Sequence, residues 1–174
     1  ISLNDSVVVI GSGMVGIFVI QALRAAGCGT IIAVDLEQDK LDLALQLGAD
    51  YGLLADKVDV VREVQKLTGG RGTNLAVEVV GNTAAVTTAI GSLRKGGALT
   101  IVGNLAASVE FPLQEVVTRQ ISITGSCSSC GEYPACLDMI AAGTVKVDAL
   151  ITAVAPLAEG DRWFRRLYQK EKGL

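Results

Sequence analysis

The run Val7-Val8-Val9-Ile10-Gly11-Ser12-Gly13-Met14-Val15-Gly16 constrains this chain more than any other feature. Its first four residues are β-branched and read as a buried strand. Val15–Ala26 carries helical spacing and is closed by Gly27. Between strand and helix lies the pattern Gly-x-Gly-x-x-Gly. Gly11 permits the tight turn, Gly13 lets the backbone approach a pyrophosphate, and Gly16 lets the helix pack close to the sheet. The helix start also offers free N–H groups and the positive end of the helix dipole, worth about 0.3–2 kcal/mol to an anion.

Glycine-rich sequences match this pattern by chance, and a structural turn in another α/β fold is the alternative. Three features concur against it: the strand before, the helix after, and an acid closing the second strand. That strand is Thr30–Val34, and the acid is Asp35, nineteen residues after Gly16. A carboxylate there can accept hydrogen bonds from both hydroxyls of an adenosine ribose, each worth about 1.5–3 kcal/mol. Its charge repels a 2′-phosphate, and no Arg follows in Leu36-Glu37-Gln38. The expected ligand is NAD rather than NADP. The competing reading of Asp35 is a solvated loop aspartate.

Short apolar runs continue to alternate with helical segments. Helix is expected at Asp39–Leu47, Val58–Leu67, Thr83–Leu93, Tyr133–Ala142 and Gly160–Gln169. Strand is expected at Tyr51–Leu54, Leu75–Val80, Ala98–Val102, Ile121–Thr124 and, late and short, Ile151–Val154. Continuous apolar strands between helices predict a parallel sheet covered on both faces. With right-handed crossovers this is a doubly wound α/β (Rossmann) fold of order 3-2-1-4-5-6, with its ligand crevice where the order reverses. Residues 1–143 form the dinucleotide-binding domain, and 144–174 a less regular carboxyl-terminal extension. Val80-Gly81 and Val102-Gly103 end the fourth and fifth strands. They can admit a flat ring into the crevice, or they can be plain turn chemistry.

Half of the 174 residues are hydrophobic and the net charge is −3. Such a chain can bury a real core, and its mild acidity without a basic patch argues against nucleic acid as a partner. No apolar run reaches membrane-spanning length, and Ile1–Asp5 lacks a signal-peptide pattern, so a cytoplasmic location is expected. There is no histidine, and no obvious group to take a proton during hydride transfer. Of the four cysteines, Cys28 reads as a small buried packer at a helix-to-strand turn. Cys127-Ser128-Ser129-Cys130 is a C-x-x-C, but it lies in a Ser/Gly-rich loop and not at a helix start. With only Cys136 nearby it falls short of a zinc site. Loop cysteines without chemistry are the preferred reading. Glu78, inside an apolar strand, is read as a structural residue that meets a polar partner. No catalytic residue and no metal ligand is assigned to this chain.

With these pieces in place the chain resembles the cofactor-binding half of the medium-chain dehydrogenases, the zinc alcohol and polyol (sorbitol-like) dehydrogenase superfamily. The resemblance covers essentially the whole chain. It is carried by the glycine run above, by Ile32-Ala33-Val34-Asp35, by Lys40-Leu41-Asp42-Leu43-Ala44 with Leu47-Gly48-Ala49-Asp50, and by Thr68-Gly69-Gly70-Arg71-Gly72. Val77-Glu78-Val79-Val80-Gly81-Asn82, Leu93-Arg94-Lys95-Gly96-Gly97 and Ile123-Thr124-Gly125-Ser126 extend it. The resemblance implies an enzyme that moves a hydride between NAD and an alcohol or polyol. It implies that catalytic zinc and the proton relay come from an amino-terminal GroES-like domain, to which 144–174 returns, so that this chain alone is inactive. It assigns Lys40 to the adenosine ribose, with Gly11, Ser12, Gly13, Met14, Val15, Gly16, Asp35, Leu36, Val80, Gly81, Val102 and Gly103 along the cofactor. It also implies a homo-oligomer, such as a dimer, joined through Ile121–Thr124.

Three other classes share parts of this pattern. A non-catalytic NAD-binding regulatory module would carry the same loop and acid, but not the blocks around Lys40–Asp50 and Thr68–Gly72. A methyltransferase would lack a third glycine placed for helix packing. An NADPH-dependent, zinc-free quinone-reductase-like protein would have a neutral or basic residue in place of Asp35.

Overall fold

The central strands form where the sequence stacks β-branched residues that must be covered on both sides. A computed structural model describes residues 1–169 and Glu171. In it β1 (Ser6–Ile10), β2 (Thr30–Asp35), β3 (Tyr51–Leu54), β4 (Thr73–Glu78), β5 (Leu93–Ile101) and β6 (Ser122–Gly125) build one sheet. Its order is β3-β2-β1-β4-β5-β6 and every pairing is parallel. This is the doubly wound, Rossmann-like arrangement expected from the sequence. The helices are α1 (Met14–Ala25), α2 (Gln38–Gln46), α3 (Val60–Leu67), α4 (Thr83–Ser92), α5 (Leu113–Thr118), α6 (Tyr133–Ala141) and α7 (Gly160–Tyr168).

The two-residue period of a strand divides the core. Val7 and Val9 point to the face where Ile17, Ile20 and Leu23 of α1 and Leu41 and Ala44 of α2 lie. Val8 and Ile10 point to the opposite face, against Val60 and Val64 of α3 and Val86, Ala89 and Ile90 of α4. A central strand apolar on both sides is thus paired with a helical layer on each. Cys28 is buried in the first of these clusters, as expected, and burial pushes its thiol pKa up.

The crossovers meet at the carboxyl ends of β1 and β4, where the strand order reverses. The turn after β1 is fixed from both sides. The Gly11 N–H donates to the Val34 carbonyl at 2.8 Å, and the Val79 N–H donates to the Ile10 carbonyl at 3.0 Å. Gly11 itself is left-handed (φ 96), and a side chain on it would press on Val79 and Val80 at 2.8–2.9 Å.

Three expectations change. Ile151–Val154 is not a strand: it runs unpaired between short 3-10 turns at Asp148–Leu150 and Leu157–Glu159, with Val154 exposed. Its β-branched residues have no neighbouring strand to complete a ladder, and propensity alone does not make one. Second, β5 begins at Leu93 rather than Ala98. Leu93 pairs with Thr73, and the register then jumps so that Leu75 faces Ala98, which sets Arg94–Gly97 out as a bulge. Third, α5 was not foreseen. It is six residues long with no buried member, too short to show a period. Arg119 just beyond it holds it down through bonds to the Ile90 and Leu93 carbonyls.

The segment after α6 is clasped to the sheet layers by Gln21. This nearly buried side chain donates to the Lys146 carbonyl (3.1 Å) and accepts from the Lys146 N–H (2.7 Å). Of the extension expected over 144–174, residues 170 and 172–174 lie outside the described residues.

The glycines of the first turn have separable roles. A Cβ on Gly16 would collide with the carbonyl of Gly11, whereas one on Gly13 would meet nothing within 4 Å. Gly16→Ala should therefore cost about 3 kcal/mol or more, a fall in Tm on the order of 6–12 °C. Gly13→Ala should cost about 1 kcal/mol or less. Thermal denaturation of the two variants side by side checks this ranking, and equal losses would refute it.

Candidate functional site

The carboxyl end of the sheet carries two adjoining cavities. The first, of about 450 Å³, lies beyond β1, β2 and β4 and is lined by Gly11, Asp35, Leu36, Lys40, Val80 and Ala85, among others. The second, of about 520 Å³, lies beyond β5 and β6. Gly81, Val102, Gly103, Asn104, Ser126 and Cys127 are in its wall. The amino terminus of α1 sits at the same end of the sheet. Its N-cap is Gly13, no side chain caps it, and its first turn holds no acidic residue. By contrast α3 and α4 are capped by Asp59 and Asn82. The first N–H groups of α1 thus face open space, the arrangement a helix presents to an anion.

Asp35 ends β2 beside this terminus. Its Oδ2 accepts the Ser12 N–H at 2.7 Å, and its Oδ1 accepts the N–H groups of Leu36 (2.8 Å) and Glu37 (3.1 Å). Three backbone donors fix the carboxylate without using all of its lone pairs. Ser12 is buried, with its hydroxyl turned to the Val34 carbonyl at 3.4 Å. Met14, Val15 and Leu36 are exposed apolar residues on the rim. Lys40 reaches the same cavity but is engaged by Glu37, Nζ to Oε1 at 2.7 Å. That bond holds its ammonium pKa above the ordinary lysine value.

Gly81 and Gly103 have a cause that sequence could not show. A side chain on Gly103 would run into the backbone of Val80 and Gly81, and one on Gly81 into the backbone of Gly103–Leu105. The turns after β4 and β5 therefore touch backbone to backbone. The ridge they form separates the two cavities, with Val80 facing the first and Gly81 and Gly103 the second.

Glu78 organises this ridge. It is fully buried at the end of β4. Its Oε1 accepts the N–H groups of Val80 and Gly81, both at 2.7 Å. Its main-chain carbonyl accepts those of Val102 (2.8 Å) and Gly103 (3.0 Å). One residue therefore ties down both turns. Its Oε2 has no hydrogen-bond partner among the described residues. The polar partner expected for Glu78 is its own backbone turn. An acid embedded in the apolar run Val77–Val80 was the available signal; that it serves the ridge depends on how close the β5 turn comes.

Among the described residues no group of three or more His, Cys, Asp or Glu could hold a metal ion. Cys127, Cys130 and Cys136 are free and exposed. No helix among the described residues is long and apolar enough to cross a membrane.

The role given to Glu78 makes a measurable distinction. Glu78→Ala strands the N–H groups of Val80 and Gly81, the latter buried, and should lower stability by about 2–4 kcal/mol. Glu78→Gln keeps an acceptor oxygen and should stay within about 1 kcal/mol of the parent. Urea denaturation of both would show it; equal losses would mean that the charge, not the acceptor geometry, holds the ridge.

Known proteins carry the same architecture. A sequence profile described as zinc-binding dehydrogenase matches residues 14–142. Sorbitol dehydrogenase of Bacillus subtilis (strain 168) is 35% identical over 151 residues, covering 86% of this chain and 42% of that protein. Probable D-xylulose reductase A of Aspergillus clavatus is 31% identical, covering 94% of this chain and 47% of that protein. Among solved structures, alcohol dehydrogenase TADH from Thermus sp. ATN1 superposes with a TM-score of 0.88 at 30% identity. It covers 97% of this chain and 49% of its own. This chain thus spans less than half the length of the relatives it matches. Sheet order, glycine turn and a profile match over most of the chain agree: it belongs to the zinc-binding dehydrogenase family.

Proposed function

We propose that this chain holds NAD for an oxidoreductase acting on an alcohol or polyol. The observation that carries the reading is Asp35 locked by three backbone N–H groups beside the uncapped start of α1. The adenosine lies in the cavity lined by Asp35, Leu36, Lys40, Val80 and Ala85, between the apolar walls of Ile10, Val34 and Ala85. The lone-pair site left on Asp35 Oδ2 accepts a ribose hydroxyl. Lys40, already held by Glu37, lies at the edge of the same site. The pyrophosphate passes over Gly11, Ser12 and Gly13 onto the N–H groups of Met14, Val15 and Gly16. Open space above Gly13 supports this path. The nicotinamide lies toward Val102 and Gly103, across the ridge that Glu78 fixes.

When bound, the nicotinamide supplies a two-electron hydride acceptor or donor. The residues of this chain orient it. Its described residues do not fit a zinc site. We therefore assign any catalytic zinc and the proton relay to a GroES-like domain outside this sequence, to which residues 144–174 return. Residues 1–143 are then the dinucleotide-binding domain. The printed names of the relatives, sorbitol dehydrogenase and D-xylulose reductase among them, support a small polyol or alcohol as substrate.

The same reading places the protein in the cytoplasm, with neither nucleic acid nor membrane as partner. It also gives assembly of like subunits through the β6 edge. Among the described residues β6 pairs only with β5, and Ile123 on it, like Val117 and Leu137 on the flanking helices, is exposed. A row of unpaired backbone groups with apolar neighbours is a surface that another strand can cover.

Calorimetric titration of the chain with NAD and, separately, NADP tests the core of this proposal. NAD should bind selectively. Asp35→Asn should weaken NAD by about 10-fold or more, the loss of a bond to a charged acceptor. Asp35→Gly should also ease entry of NADP. An unchanged preference would remove Asp35 from the ribose, and alcohol oxidation by this chain alone would refute the division of labour.

A further inference from the structure

We propose that Cys127 and Cys130 form a reversible thiol–disulfide site at the rim of the second cavity. Sequence spacing by itself favoured loop cysteines without chemistry. The structure adds accessibility, anchorage and position. Both thiols are exposed and free, on the segment between β6 and α6. Cys28 is buried in the core, and Cys136 is held within α6.

The segment is anchored at both ends. The Ser126 N–H donates to the Ile101 carbonyl at 2.9 Å, extending the β5–β6 pairing to the residue before Cys127. The Cys130 N–H donates to Glu132 Oε2 at 2.6 Å. Between these points Ser128 is left-handed (φ 56), and the chain bends at Ser128, Cys130 and Gly131. Only two residues separate the cysteines, and a four-residue segment that folds back as a turn brings its ends within about 7 Å, inside the span that a disulfide bridges. Closing so short a loop costs little chain entropy. No helical or strand hydrogen bond lies between the two residues to be broken.

The oxidant is a small-molecule disulfide such as glutathione disulfide. One cysteine thiolate attacks a sulfur of that disulfide, forming a mixed disulfide and releasing one small thiol. The second cysteine thiolate then attacks the protein sulfur of the mixed disulfide and releases the other small thiol. Two electrons and two protons pass from the protein dithiol to the small disulfide, and a dithiol reductant reverses the exchange. Cys127 lines the second cavity beside Ser126, Ser128 and Gly103. The bridge therefore stiffens the wall of that cavity.

The chain is equilibrated with glutathione disulfide, labelled with N-ethylmaleimide without denaturation, and read by intact mass and fragmentation. Before oxidation, Cys127, Cys130 and Cys136 should all take label. After it, only Cys136 should, with the protein lighter by two hydrogens and no glutathione retained. Dithiothreitol should restore all three labels. Cys130→Ser should trap glutathione on Cys127, and Cys136→Ser should leave the bridge intact. Continued labelling of Cys127 and Cys130, a lasting glutathione adduct on the unmodified sequence, or a bridge that recruits Cys136 would each overturn the proposal. Because every readout is a thiol mass, failure here is separate from any failure of NAD binding.

Discussion

Everything at the carboxyl end of the sheet depends on how closely α1 approaches the turn that precedes it. Gly16 rests on the carbonyl of Gly11 with no room for even a methyl group. That contact brings the first turn of α1 against the end of β1 and aims its unpaired N–H groups across the crevice, not into solvent at the side of the sheet. The rest follows from it. Ser12 is pressed inward and gives its N–H to Asp35, so the turn after β1 and the end of β2 become one unit. Asp35 is then oriented by backbone rather than by a side-chain partner that could swing away. A helix one methylene farther from the sheet would lose this bond, and with it the link between the uncapped start of α1 and the carboxylate.

A second unit is built on Glu78, and its logic is opposite. The first turn is tight because side chains are missing; the ridge after β4 and β5 is tight because one polar side chain is present in an apolar strand. A buried carboxylate is costly unless its oxygens are satisfied. Here one oxygen takes two N–H groups that would themselves be stranded, so the desolvation of acid and turn is shared. The main-chain carbonyl of the same residue secures the neighbouring turn. The two units meet where Gly11 packs under Val79 and Val80. Displacement of the ridge would therefore be felt at the start of α1.

These two units were unequally legible in the sequence. The first was open to reading because its determinants are local: strand, glycines and helix follow one another within one stretch, and Asp35 lies at a predictable place on the next strand. β1 and β2 were equally clear, since strands covered on both faces run apolar and largely β-branched along their length; β3 was a weaker signal, and its first two residues are exposed. The ridge was not legible. Gly81 and Gly103 are far apart in sequence and matter to each other only through a backbone contact, so neither could be told from an ordinary turn glycine. The bulge at Arg94–Gly97 likewise depends on β4, not on the local sequence. Ile151–Val154 was misread for the converse reason. Its composition is that of a strand, and a strand without a partner is only extended chain.

Burial follows the same boundary. Among the described residues every buried side chain lies at or before Ile121, while β6, α6 and α7 contribute none. Phe164, Leu167 and Tyr168 on α7 are exposed together, as are Leu137 and Ile140 on α6. Local hydrogen bonds alone hold short helices poorly in water, so these elements gain little from the core that β1–β5 enclose. The amphipathic character of α7 is nonetheless clear in the sequence: it encodes a face to be covered without saying by what. This chain matches less than half the length of its relatives. The proposed return of residues 144–174 to a catalytic domain would supply the missing layer. It would also explain why the crevice is closed by core elements on the side of β1, β2 and β4 and is walled mainly by exposed loop on the side of β6.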